Sequence, residues 1–169
     1  MIILGIDPGY AIVGYGIIEY LGNHFNVLNY GAVLTSSKIP FEERLLQIYN
    51  ELDVLMKQYV PEALSIEKLF FNNNQKTVID VSQARGVILL VARQNNIPIF
   101  EYTPLQVKQS VVGYGRANKN QVQEMTKMIL HLKKIPKPDD TADALAMAIC
   151  HAHASESLIG KLRIMEGKL

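Results

Sequence analysis

Hydrophobic and polar positions change period several times along the chain, and each change marks an element. Residues 1–7 (MIILGID) are a short apolar run that stops at the turn signal Asp7-Pro8-Gly9. Such a run suits a strand covered on both faces. Residues 12–20 and 25–35 carry β-branched and aromatic side chains around the break Leu21-Gly22-Asn23-His24, which predicts a hairpin. Phe41, Leu45, Ile48, Leu52, Leu55 and Tyr59 then recur at three- and four-residue steps, the spacing of an amphipathic helix over 41–59 that Pro61 closes. A short strand follows at 64–67, a helix at 75–95 with an internal Gly86, and a strand at 97–102. Thr103 with Pro104 reads as helix cap and first helical position. Gly113-Tyr114-Gly115 breaks that helix, and two more are predicted at 119–132 and 139–155, with Pro136 and Pro138 between them. A three-stranded antiparallel start feeding α/β crossovers predicts an α/β fold: a mixed sheet with helices on both faces.

Composition narrows the class. The chain has 169 residues, of which 49% are apolar and 20% charged, with a formal charge of +1. That is a globular composition with enough chain for one core. No 20–50-residue repeat and no Gly/Ser linker is visible. Residues 1–155 are therefore expected to form a single domain, and 156–169 a fraying tail. No run approaches the ~18 apolar residues of a membrane span, and no signal peptide is visible at the start. The lone Cys150 excludes an internal disulfide and a multi-cysteine metal site, and fits a reducing cytoplasm. A net charge near zero means that any anionic polymer must be met by a local patch.

Four acidic residues stand out. Asp7 and Glu67 each end an apolar strand; Asp7 alone also reads as a turn cap, and Glu67 as a surface residue of an edge strand. Asp140 and Asp143 lie three apart on one helix face at a helix start, where the macrodipole favours negative charge, so an N-cap with a following acid explains them equally. The run after them, Ala142 to Ile149, is apolar almost all round, as in a buried helix that aims its acidic end at the sheet. If these carboxylates converge they repel: two unit charges 4 Å apart cost ~4 kcal/mol at an effective dielectric near 20. All-oxygen ligands without Cys or paired His select a hard ion, Mg²⁺ or Mn²⁺. His151 and His153 are two apart, diverge on a helix, and read as structural or solvent-facing.

Basic residues cluster between Lys108 and Lys134, where Lys108, Arg116, Lys119, Lys127, Lys133 and Lys134 face only Glu124 in sequence. This is either a pair of solvated helix faces or a phosphate-binding patch, with Lys108 and Lys119 both directed at the loop 113–116. Phe70-Phe71 sits among polar residues just after Glu67, either as core or as a stacking platform for unpaired bases.

The segments LGIDPGYAIVGYGI, IEKLFF, SQARGV, FEYTPLQVKQSVVGYGRANKNQV and KPDDTADALAMAICHAH, taken in this order, resemble the RuvC family of bacterial Holliday-junction resolvases from residue 3 to about 153. The resemblance implies a ribonuclease-H-like five-stranded sheet and a homodimer that cuts four-way DNA junctions at preferred thymine-containing sites. It implies that Asp7, Glu67, Asp140 and Asp143 are the catalytic and metal-binding acids, and that Lys108, Lys119 and Phe70 meet DNA, Arg116 being the further basic residue of that stretch. It also implies work beside the RuvA and RuvB branch-migration proteins. Thr141 stands where the family usually has alanine, and Ser82 where it has glycine.

The mechanism this suggests uses two Mg²⁺ ions, with Mn²⁺ as substitute: one activates water and the other stabilises the leaving 3′ oxygen. Paired nicks in strands of like polarity would leave 5′-phosphate and 3′-hydroxyl ends. A two-fold dimer matches the two equivalent strands, and Val78, Val81, Arg85, Ile88 and Leu89 of the helix at 75–95 read either as ordinary core packing or as an interface. Two other classes open similarly: an actin-like ATPase, suggested by residues 3–9, and a junction-binding module without activity.

Overall fold

The structure, a computed structural model, describes residues 1–68 and 75–156, with side chains omitted at 75–77. Five strands and five helices follow one another as β1 (Ile2–Asp7), β2 (Ile12–Leu21), β3 (His24–Leu34), α1 (Phe41–Tyr59), β4 (Ala63–Glu67), α2 (Gln75–Gln94), β5 (Ile99–Tyr102), α3 (Pro104–Val112), α4 (Lys119–Ile129) and α5 (Asp139–Glu156). The predicted order holds throughout. The tail beyond Glu156 lies outside the described residues. No helix among the described residues is long and apolar enough to cross a membrane.

Local chemistry sets most boundaries. Gly22 and Asn23 both have positive φ, at 49° and 69°, as a two-residue turn between twisted antiparallel strands requires. The Thr103 side chain accepts from the Gln106 backbone and the Gln106 side chain accepts from the Thr103 backbone, so α3 starts in a capping box. α4 starts with the same device, built from Asn118 and Gln121. α4 ends three residues before the predicted 132. His131 turns left-handed at φ 51°, and the amides of His131 and Leu132 bond back to the carbonyls of Met128 and Lys127.

The sheet order is β3-β2-β1-β4-β5. β1 pairs antiparallel with β2 and parallel with β4; β2 and β3 are antiparallel, β4 and β5 parallel. Alternation along β1 sends Leu4 and Ile6 to one face, under α1 and α2, and Ile3 to the other, under α3, α4 and α5. Gly5 and Asp7 share the face of Ile3. In β4, Leu64 and Ile66 face α1 and α2 while Ala63 and Ser65 face α5, where the Ser65 hydroxyl donates to the Met147 carbonyl at 2.7 Å. Glu67 follows in the same phase.

α5 is buried over almost its whole length, as its uninterrupted apolar run predicts. It reaches the sheet closely because β1 and β2 present glycines to it. A Cβ at Gly5 would lie 2.0 Å from the Ala144 carbonyl oxygen, and one at Gly14 would lie 2.0 Å from that of Asp140.

Candidate active site

Asp7 and Glu67 close adjacent parallel strands. Ile6 pairs with Ile66, so the next residue of each strand stands beside the other on the α5 face. β4 lies between β1 and β5, so Glu67 does not belong to an edge strand. Asp7 pairs with Gly14 across the antiparallel ladder, and the bare Gly14 lets the Asp140 backbone settle beside it. Asp139 and Asp140 occupy the first turn of α5. Thr141 donates its backbone N–H to the Pro138 carbonyl, which puts Asp140 inside the helix rather than at its cap. Asp143 follows one turn later on the same side.

The result is a cavity of about 220 Å³ lined by Asp7, Glu67 and Asp143, by Lys108 and Lys119, and by apolar side chains of α3, α4 and α5. Asp140 is close enough to raise the pKa of Asp7 and Asp143 but is not part of the cavity wall. Burial first, then the charges of Asp143, Glu67 and Asp140, push the Asp7 carboxyl up to about 8; Lys119 opposes them. Burial and Asp143 raise Glu67. Burial also raises Asp143, against the hydrogen bond from Lys119.

Both lysines line this cavity, whereas the sequence directs them at the loop 113–116. Lys108 projects from α3. Lys119, first residue of α4, brings Nζ to 2.9 Å from Asp143 and 3.7 Å from Asp139. Arg116 is exposed on the α3–α4 loop. Lys127 is paired with Glu124 on the α4 surface. Phe70 and Phe71 lie outside the described residues. Sequence reasoning passed over Asp139, which binds Lys119 and Lys137 together; its one signal was adjacency to Asp140.

The two residues that depart from the family pattern make local bonds. The Thr141 hydroxyl donates to the Gly31 carbonyl at 3.0 Å, tying α5 to β3. The Ser82 hydroxyl donates to the Val78 carbonyl inside α2. His151 is buried with Nδ1 2.7 Å from the Tyr102 hydroxyl, whereas His153 is exposed beside Ser110. Each has its own neighbours, as their structural reading requires.

Among the described residues, no three carboxylate, imidazole or thiol side chains are gathered closely enough to hold a metal ion as they stand. The donor chemistry nonetheless fits a hard divalent cation. The groups are carboxylate oxygens, desolvated and mutually repelling, and an ammonium already sits against one of them.

A family model described as crossover junction endodeoxyribonuclease RuvC matches residues 3–151. A protein of that name from Ruminiclostridium cellulolyticum is 59% identical over 165 residues, spanning 96% of this chain and 99% of its own. The Thermus thermophilus RuvC structure superposes with a TM-score of 0.86 at 35% identity, covering 92% of this chain and 95% of that one. T. thermophilus RuvC in complex with a Holliday junction substrate gives the same TM-score of 0.86 and 35% identity, over 90% of this chain and 93% of that one.

Proposed function

The chain belongs to the RuvC family of crossover junction endodeoxyribonucleases, with the ribonuclease-H-like fold of that family, and we propose that it resolves four-way DNA junctions at the carboxylate cavity. The family implies a divalent metal; the finer reading is Mg²⁺, two ions per site, with Mn²⁺ able to substitute. The observation that carries this reading is the cavity itself, which three carboxylates and two lysines line together, with Asp7 and Glu67 at the ends of adjacent parallel strands. A family member of the same fold has been solved on a Holliday junction, which supports the choice of substrate.

Asp7, beside Glu67 on the neighbouring strand, would hold the ions together with Glu67, Asp140 and Asp143. When bound, the ions supply an activated water and charge stabilisation for the departing 3′ oxygen. The chain's own groups do the rest. Carboxylate spacing fixes where the scissile phosphate docks. Lys108, on the far wall, neutralises a phosphate oxygen and the charge that develops on it. Arg116, exposed on the adjoining loop, extends the cationic track, and Phe70 stacks on a base unpaired near the cut. The products carry 5′-phosphate and 3′-hydroxyl ends.

We read residues 1–155 as one nuclease domain that works as a homodimer, in the bacterial cytoplasm, beside RuvA and RuvB. A four-way junction offers two equivalent strands, and a two-fold pair of cavities meets both. The test is cleavage of a synthetic junction with and without Mg²⁺, for the unaltered chain and for Asp7→Asn. Cutting that needs the ion and disappears in the variant, with junction binding retained in a gel-shift assay, is the expected result. Cutting in chelator, or full cutting by Asp7→Asn, overturns the reading.

A further inference from the structure

Lys119 is held by two carboxylates of different standing. Asp143 lines the cavity, while Asp139, one helical turn earlier, is outside that lining and has 43% of its side chain exposed. The ammonium is 2.9 Å from Asp143 Oδ2 and 3.7 Å from Asp139 Oδ2. Asp139 is itself anchored from the other side, because Lys137 Nζ bonds its Oδ1. The second carboxylate therefore has a partner of its own besides Lys119. Lys119 has 53% of its side chain exposed, on a stem with four rotatable bonds, so a shift between the two oxygens is a small rotation at the rim of the cavity.

Asp143 is thus already neutralised by a cation that belongs to the protein. A divalent ion and an ammonium of like sign compete for its oxygens. We propose that Lys119 is a resident countercharge which an entering divalent cation displaces from Asp143, and that Asp139 is the seat to which it retreats, making Asp139 a positioning residue of this site. The proposal rests on the metal-dependent reading above and adds to it an exchange of cations within the chain. Lys119 then leaves the carboxylate without leaving the site, and its charge stays at the rim where a phosphate arrives.

The experiment is Mn²⁺ binding to the whole chain without DNA, followed by loss of the free-ion electron paramagnetic resonance signal. The variants are Lys119→Gln, Asp139→Asn and both together. Lys119→Gln removes the competitor and is expected to tighten Mn²⁺ by about fivefold, the upper range for a half-exposed ion pair. Asp139→Asn leaves Lys119 only Asp143 and is expected to weaken Mn²⁺ by about threefold, with Asp139→Glu restoring it. In the Lys119→Gln background the Asp139→Asn change is expected to do nothing, since Asp139 acts through the lysine. Equal weakening in both backgrounds means that Asp139 is merely a nearby negative charge, and overturns the exchange while leaving the metal site standing. Weaker binding in Lys119→Gln overturns it as well. No Mn²⁺ binding by the unaltered chain sinks both the exchange and the reading beneath it.

Discussion

Asp7 carries the largest electrostatic strain in the cavity, and that strain has a measurable sign. Its carboxyl ionises near 4 in an unfolded chain but at about 8 in the fold, through burial and the charges of Asp143, Glu67 and Asp140. Between those limits the folded state binds a proton that the unfolded state has released. Stability from this group therefore falls as pH rises from about 4 to about 8. Calorimetry in chelator should show Tm dropping across that window. Asp7→Asn should flatten the drop and raise Tm at pH 8 by on the order of 5 °C. Adding Mn²⁺ should recover Tm in the unaltered chain more than in the variant, because the ion binds only the folded cavity. Parallel pH profiles for the two proteins would remove Asp7 from the buried cluster. Asp7 and Glu67 stood out in the sequence because each ends an apolar strand, and Asp140 and Asp143 because they share a helix face, but turn and cap chemistry explained each of them as well and only the family resemblance singled out the four. Their convergence was not legible: residues 7, 67 and 143 meet only through strand register and the path of α5. The contact of Lys119 with Asp143 was hidden for the same reason, and Asp139 was masked by its more telling neighbour.

At the scale of elements, the site depends on how closely α5 lies on the sheet. Gly14 faces the backbone of Asp140, so an added methyl meets a carbonyl carbon at 2.3 Å and its oxygen at 2.0 Å rather than a side chain able to move aside. Gly14→Ala should lift the first turn of α5 and destabilise the fold by about 2 kcal/mol, the usual range for overpacking. Cleavage should fall by at least about tenfold, since a displacement of about 1 Å at a reacting centre can cost more than that. Junction binding, which the proposed reading assigns to Lys108 and Arg116, should change little. Denaturant titration beside single-turnover cleavage checks this; normal cleavage from a destabilised protein would show that the position of Asp140 is not critical. Most elements were readable because period and punctuation agreed: Thr103-Pro104 and Gly113 bound α3 as their chemistry predicts. The end of α4 was not readable, since His131 takes the left-handed position that glycine usually signals. Val60 does the same after α1, a β-branched residue at φ 45° whose N–H bonds back to the Met56 carbonyl as the helix cap.

For the whole molecule, the proposed homodimer requires a surface that brings two cavities to one junction. The sequence nominated Val78, Val81, Arg85, Ile88 and Leu89 of α2 as an interface. The fold puts part of that stripe into the core, as its core-packing reading has it. Ile88 is fully buried in the core under α2, and Arg85 is paired with Glu101 of β5. The outward face carries Ile79, Gln83, Gly86 and Leu90, spaced by four, three and four, with Ile79 63% and Leu90 56% exposed. Periodicity alone could not separate these faces, because α2 has apolar residues on both. Two large aliphatic side chains beside a glycine whose Cβ position is open make a flat apolar strip, the kind of surface a second copy covers by two-fold symmetry. Replacing Ile79 and Leu90 together by glutamate should leave thermal stability within about 1 kcal/mol, since neither supports the core. Sedimentation should then show monomer, with a dimer expected of the unaltered chain. The functional signature is sharper than lost activity. A monomer keeps its own carboxylate cavity, so it should still nick a junction once, but the second, symmetry-related nick should become slow and independent of the first. On a supercoiled plasmid with an extruded cruciform, paired cutting yields linear product and single nicking yields open circles. Linear product from a variant that sediments as monomer would disconnect paired cutting from dimerisation, and a variant that stays dimeric would take the interface off α2.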